Sequence, residues 1–112
     1  GRGSVCINTG GEKVFPEEVE EVIKRFEGVK DVVVVGVPDD RWGEAITAVV
    51  SSHQGELDGA AIIEHVKESL AGFKAPKHVV QVPEVYRSPA GKADFKRTRQ
   101  MAIEQLAARE SP

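Results

Sequence analysis

The stretch Val32-Val33-Val34-Val35-Gly36-Val37-Pro38-Asp39-Asp40-Arg41-Trp42-Gly43-Glu44-Ala45-Ile46-Thr47-Ala48-Val49-Val50-Ser51-Ser52 decides the fold of this chain. Val32 to Val37 is a β-branched run bounded by Asp31 and Pro38, which predicts a buried strand. The polar segment Asp39-Asp40-Arg41-Trp42-Gly43 forms a loop, and Glu44 to Ser52 is a second strand. A link this short makes the two strands antiparallel neighbours, because a parallel return needs a longer crossover.

Working toward the N-terminus, Pro16 stands where a helix accepts proline, at its first position. Glu17 and Glu18 follow in the first turn, where the helix dipole favours acids. Val19, Val22, Ile23 and Phe26 make one apolar stripe at helical spacing, and Gly28 is the expected stop. Ahead of that helix, Gly1 to Gly11 reads as a short strand entering a tight turn at Asn8-Thr9-Gly10-Gly11, which gives a small N-terminal hairpin.

Working toward the C-terminus, Asp58 is an N-cap for a second helix with Ile62, Ile63, Val66 and Leu70 on one face, ending near Gly72. His78 to Val82 predicts a third strand. From Pro83 to Lys92 the texture changes to two prolines, a glycine and few core residues, which is an exposed loop with stiff corners. A last helix, roughly 94–108, carries Phe95, Ala102, Ile103 and Leu106. The fold class is α+β: a three-stranded, mainly antiparallel sheet packed by helices, plus the short hairpin.

The 112 residues suffice for one core, and a net charge of −3 demands neither a nucleic acid nor a membrane partner. No apolar run approaches the roughly 20 residues that span a bilayer. Cys6 is the single cysteine, so an internal disulfide and a cysteine-rich metal site are excluded, and a reducing cytoplasm is expected. His53, His65 and His78 lack ligand spacing, so no metal site is expected. The opening Gly1-Arg2-Gly3-Ser4 has neither a starting Met nor a secretory pattern, and a fragment of a larger protein is expected.

Three ordered blocks carry a resemblance. They are Gly10-Gly11-Glu12-Lys13-Val14-Phe15-Pro16-Glu17-Glu18-Val19-Glu20, then Val35-Gly36-Val37-Pro38-Asp39-Asp40-Arg41-Trp42-Gly43-Glu44, then Phe73-Lys74-Ala75-Pro76-Lys77 with Ser88-Pro89-Ala90-Gly91-Lys92. Together they resemble the C-terminal domain of acyl-CoA synthetases (fatty-acid–CoA ligases), members of the adenylate-forming, AMP-binding superfamily. The N-terminal Gly1-Arg2-Gly3-Ser4-Val5-Cys6-Ile7-Asn8 looks most like that of bacterial fatty-acyl or steroid-side-chain CoA ligases. The resemblance implies that residues 1–112 are the C-terminal lid of such a ligase, with the large N-terminal adenylation domain absent. It implies the reaction of a carboxylic acid, ATP and coenzyme A to acyl-CoA, AMP and pyrophosphate. ATP and Mg2+ would sit mainly on the large domain, and the lid would rotate between the two half-reactions. The implied partners are that domain, coenzyme A and a fatty or other hydrophobic acid. Peripheral contact of the full enzyme with a membrane is compatible with it.

The same resemblance assigns roles by position. Lys92 matches the adenylation lysine, whose charge lowers the repulsion between a carboxylate and the α-phosphate. Gly10 and Gly11 match the loop that approaches the pantetheine arm, and also read as an ordinary hairpin turn. Lys13 matches a residue near the nucleotide phosphate, with a solvated cation as the equal alternative. Arg2 and Ser4 fall at the inter-domain hinge, where Ser4 replaces the acid or lysine usual in the family. The acids Glu12, Glu17, Glu18, Glu20 and Glu21 read as a solvated helix face. Lys96, Arg97 and Arg99 read as a charged helix surface beside Lys92. Trp42 is expected to pack in its hairpin. The competing functions are adenylation for a carrier-protein thiol or for oxygen, and a non-enzymatic, ferredoxin-like binding module. On its own the fragment is expected to be inactive.

Overall fold

β3 (Val29–Asp39) and β4 (Gly43–Ser52) pair antiparallel over their whole length, from Val29 opposite Ser52 to Asp39 opposite Gly43, in the computed structural model, which describes residues 6–110. The turn between them closes on Asp39, whose Oδ1 accepts hydrogen bonds from the Arg41 and Trp42 amides at 2.8 and 2.9 Å. Gly43 takes a φ of +82° at the entry to β4. The expected strands and their direction are those observed, and β3 is longer at both ends.

Around this pair lie β1 (Ile7–Thr9), β2 (Glu12–Val14), α1 (Pro16–Ile23), α2 (Gly59–Ser69), β5 (His78–Gln81) and α3 (Phe95–Glu110). β5 runs parallel to β4, with Thr47 opposite His78, and α2 makes the crossover. The N-terminal hairpin is not a separate ribbon. Thr9 pairs with Gly43, and the Gly10 amide donates to the Trp42 carbonyl at 2.8 Å. β5 covers only Thr47 to Val50 of the second edge of β4, so the Gly43 end is left for β1. The expected three strands and the short hairpin thus join in one described sheet of five strands.

The valine run is continuous because both sheet faces are covered. Val32 and Val34 meet α1 and α2, together with Ile46, Ala48, Val50, Ile62 and Val66. Val33, Val35 and Val37 turn to the opposite face and meet Ala45, Val49 and Val80, closed by Ala102 of α3. Two helix boundaries differ from expectation. α1 ends at Ile23 rather than near Gly28, because Phe26 bonds back to Ile23 in a tighter turn. That turn lets Phe26 pack on the core and against the edge of the His65 ring. α2 ends at Ser69, and Gly72 opens a separate one-turn 3-10 helix. Cys6 precedes β1 and is half-buried, not a strand residue.

Candidate functional site

Lys92 lies on the return limb of a tight loop between β5 and α3. Arg87 and Ala93 form a bridge, and the chain reverses through Ser88-Pro89-Ala90-Gly91. The Gly91 amide donates to the Ser88 carbonyl at 2.8 Å, and the Ser88 amide to the Lys92 carbonyl at 2.8 Å. The Lys92 amide donates to Ser88 Oγ at 3.2 Å. Gly91 has a φ of +87°, a conformation that an L side chain would strain. Side chains alternate along the loop. Ala93 packs toward the Val33 cluster, whereas Ser88 and Lys92 are exposed. Among the described residues, the Lys92 ammonium has neither a hydrogen-bond acceptor nor an ion-pair partner.

Arg87 anchors the loop to the sheet. Its Nε and Nη2 donate to the two carboxylate oxygens of Asp31 at 2.7 and 2.8 Å. Nη2 also approaches the Val32 carbonyl at 3.4 Å, and Nη1 donates to the Gly91 carbonyl at 3.0 Å. These contacts belong to a wider pattern along the free edge of β3. Asp31 accepts from the Val32 amide at 2.8 Å, Glu20 from the Val34 amide at 2.9 Å, and Gly36 O accepts from Arg99 Nε at 2.8 Å. Charged side chains thus occupy the ladder positions that an edge strand otherwise offers to another chain. Glu20 and Arg99 are structural groups, which corrects the reading of both as solvated surface. Arg97 is engaged too, its guanidinium 4.0 Å from the Tyr86 ring centroid.

The pair has a pH signature. The hydrogen bonds from Arg87 hold the Asp31 carboxyl below the usual aspartate range. A lowered folded value stabilises the fold above the unfolded value, and this stabilisation is lost as pH falls through the folded one. Burial instead raises Glu20, so its ionisation works against folding and its protonation does not add to acid loss. Asp31→Asn is therefore expected to be less stable than wild type at neutral pH. The gap should narrow as pH falls below about 4, the ordinary aspartate region, and close below the lowered folded value. Urea midpoints at the two pH values measure this, and a gap that stays constant refutes it.

The second group of candidates lies at the other end of β3. Gly10 and Gly11 form the turn between β1 and β2 with φ of +58° and +85°. A Cβ on Gly10 would sit 3.0 Å from Trp42 Cε3, whereas one on Gly11 would have nothing within 4 Å. The Asn8 amide donates to Glu44 Oε1 at 2.8 Å and ties the hairpin to β4. Trp42 is half-buried against Gly10, and the Lys77 ammonium lies 4.5 Å from its ring centroid. With Gly72 and Phe73 they border a shallow groove of about 270 Å³. Lys13 is exposed on β2, opposite Asn8.

The structure brings Gly10, Gly11 and Lys13 together and keeps Lys92 apart from them. The Lys92 loop is tied through Arg87 to Asp31, and Gly10 to Trp42 beyond Asp39. Eight residues of strand separate those anchors, roughly 26 Å at about 3.3 Å per residue. The hinge candidates Arg2 and Ser4 lie outside the described residues. No group of three or more metal-ligating side chains occurs among the described residues. Reading the sequence missed the Arg87–Asp31 pair, since 56 positions separate the partners and no local spacing joins them. It also missed Lys77 on Trp42, for the same reason.

Comparison with known proteins places this geometry. Residues 18–92 match the model of the AMP-binding enzyme C-terminal domain. The medium-chain acyl-CoA ligase Mig of Mycobacterium avium is 49% identical over 104 residues, which is 92% of this chain and 19% of that protein. The 3-oxocholest-4-en-26-oate–CoA ligase of Rhodococcus rhodochrous is 50% identical over 99 residues, 86% of this chain and 18% of its own length. The crystal structure of ATP-bound MatB from Rhodopseudomonas palustris superposes with a TM-score of 0.85 at 35% identity, covering 94% of this chain and 21% of that one. The chain thus spans about a fifth of the length of the curated relatives it matches. With residues 18–92, about two thirds of its length, matched by one family model and its fold shared with solved relatives, the chain belongs to the AMP-binding enzyme C-terminal domain family.

Proposed function

We propose that this chain is the mobile lid of an ATP-dependent ligase that joins a fatty or other hydrophobic carboxylic acid to coenzyme A. In this reading its partner is an N-terminal domain that holds the acid and most of the ATP. Mg2+ would accompany ATP on that domain. No described helix is long and apolar enough to cross a membrane. The reading puts the reaction in the cytoplasm, where ATP and coenzyme A are both available.

The observation that carries it is the exposed ammonium of Lys92, without a partner among the described residues, on a loop whose backbone is fixed. In the first half-reaction a carboxylate oxygen attacks the α-phosphorus and pyrophosphate leaves. Two anions must meet, and a lysine between them stabilises the charge on the phosphoryl oxygens. In the second, the thiol of coenzyme A attacks the acyl carbon and AMP leaves. The glycine turn offers backbone without side chains beside that path. The names of the relatives point to medium-chain and steroid-derived acids.

The test is product analysis of the intact enzyme with ATP, coenzyme A and a medium-chain fatty acid. Equal amounts of acyl-CoA, AMP and pyrophosphate are expected. Formation of ADP, or an adenylate discharged only onto a carrier-protein thiol or consumed with oxygen, would overturn it.

A further inference from the structure

The bridge between Arg87 and Ala93 divides the Lys92 loop into two faces. Ala93 points into the core and Arg87 crosses to β3, whereas Ser88 and Lys92 point away. Lys92 is a long side chain with free rotors, so its ammonium can only be aimed through the backbone that carries it. That backbone has three anchors: the Ser88 turn, the positive φ of Gly91, and the Arg87 fork. The first two are internal to the loop and set its shape. Ala93 packs the loop onto the sheet without direction, and the fork adds a directional tie next to Lys92, because one guanidinium bonds Asp31, the Val32 carbonyl and the Gly91 carbonyl at once. The Gly91 carbonyl is one peptide bond from Lys92.

We propose that Arg87 is a positioning residue for adenylation, fixing through Gly91 the backbone from which Lys92 reaches the α-phosphate. The inference rests on the role given to Lys92 above. A lysine ammonium must arrive within hydrogen-bond reach of an oxygen whose charge grows only in the transition state. A loop free to rock by an ångström would spend that reach on disorder. Arg87 is suited to the task because its planar fork makes parallel bonds to one carboxylate and keeps a further N–H for the loop. A lysine at position 87 could satisfy Asp31 or Gly91, but could not hold both in one plane. Thioester formation does not use Lys92, so the clamp should be dispensable there. Its partner Asp31 belongs to β3 and touches no reactant in this scheme, so a selective loss of adenylation in its variant, beyond the stability change expected above, reports on the clamp.

The experiment uses the intact enzyme with Arg87→Lys, Arg87→Met, Asp31→Asn and, as a reference, Lys92→Ala. Adenylate formation is followed by ATP–pyrophosphate exchange, and the second step from preformed acyl-adenylate and coenzyme A. Arg87→Lys is expected to lower kcat for adenylation about tenfold or more, the scale of an ångström-level misplacement. KM values for ATP and acid, and the rate of the second step, should stay within about twofold. Asp31→Asn keeps an acceptor for the Val32 amide and should lower kcat in the same direction, but less. If neither Arg87 variant slows adenylation while Lys92→Ala does, the clamp has no part in the reaction. If both half-reactions fall together with thermal stability, Arg87 is only structural and the inference is overturned. If Lys92→Ala itself leaves adenylation intact, the role of Lys92 fails first, whatever Arg87 does. Should Arg87→Met not fold, Asp31→Asn and Arg87→Lys still decide the matter.

Discussion

Lys92→Ala is expected to slow acyl-adenylate formation by about 100- to 1,000-fold, the cost of removing one preorganised stabiliser of transition-state charge. Thioester formation from preformed adenylate should change little. The split follows from the chemistry. Only the first step brings a carboxylate against a polyanionic phosphate, and only there does a positive charge reduce repulsion. Stability should not confuse the result, since the side chain is exposed and has no partner among the described residues to lose. Surface substitutions of this kind shift stability by about 0.5 kcal/mol or less. Lys92→Arg sharpens the test. It keeps the charge, but a planar fork cannot occupy the place of a compact ammonium, so adenylation should be restored only in part. Adenylation that survives Lys92→Ala would show that another cation does this work.

The fold was legible where the signal is local. Val32 to Val37, Asp58 ahead of Ile62, and Pro16 with Glu17 and Glu18 each announce an element within one window of residues. The candidate site residues came from the resemblance of ordered blocks, and the local signal beside them is glycine. Gly91 before Lys92, and Gly10 with Gly11, mark turns that need positive φ, and all three have it. What stayed hidden depends on which elements meet. Glu20 reads as one acid among several on α1, and only the folded chain sets it on the Val34 amide. Arg99 reads as helix surface until α3 lies along the edge of β3 and its Nε finds the Gly36 carbonyl. The early end of α1 is of the same kind. Phe26 has the spacing of a helical stripe residue, yet its better packing is reached by leaving the helix.

Gly11→Leu is expected to produce the inverse of the lysine variant: adenylation within about twofold of wild type and thioester formation slowed about tenfold or more. The choice of Gly11 over its neighbour is physical. At Gly10 any side chain runs into the Trp42 ring at 3.0 Å, so a loss there would report on folding as much as on coenzyme A. At Gly11 a Cβ meets nothing within 4 Å among the described residues, so the substitution costs the strain of a φ of +85° without a clash at Cβ. That strain is about 1–2 kcal/mol, which a domain of ordinary stability tolerates. A slowed second step must then come from what the leucine meets outside this chain, which is where a narrow pantetheine path would run. The geometry makes the two variants complementary. Their anchors lie roughly 26 Å apart along β3, which sets Lys92 and Gly11 toward opposite ends of that strand. Opposite half-reaction defects would support a lid that turns between steps. A Gly11→Leu enzyme that forms thioester at the normal rate would leave the glycines as a hairpin turn and remove that support.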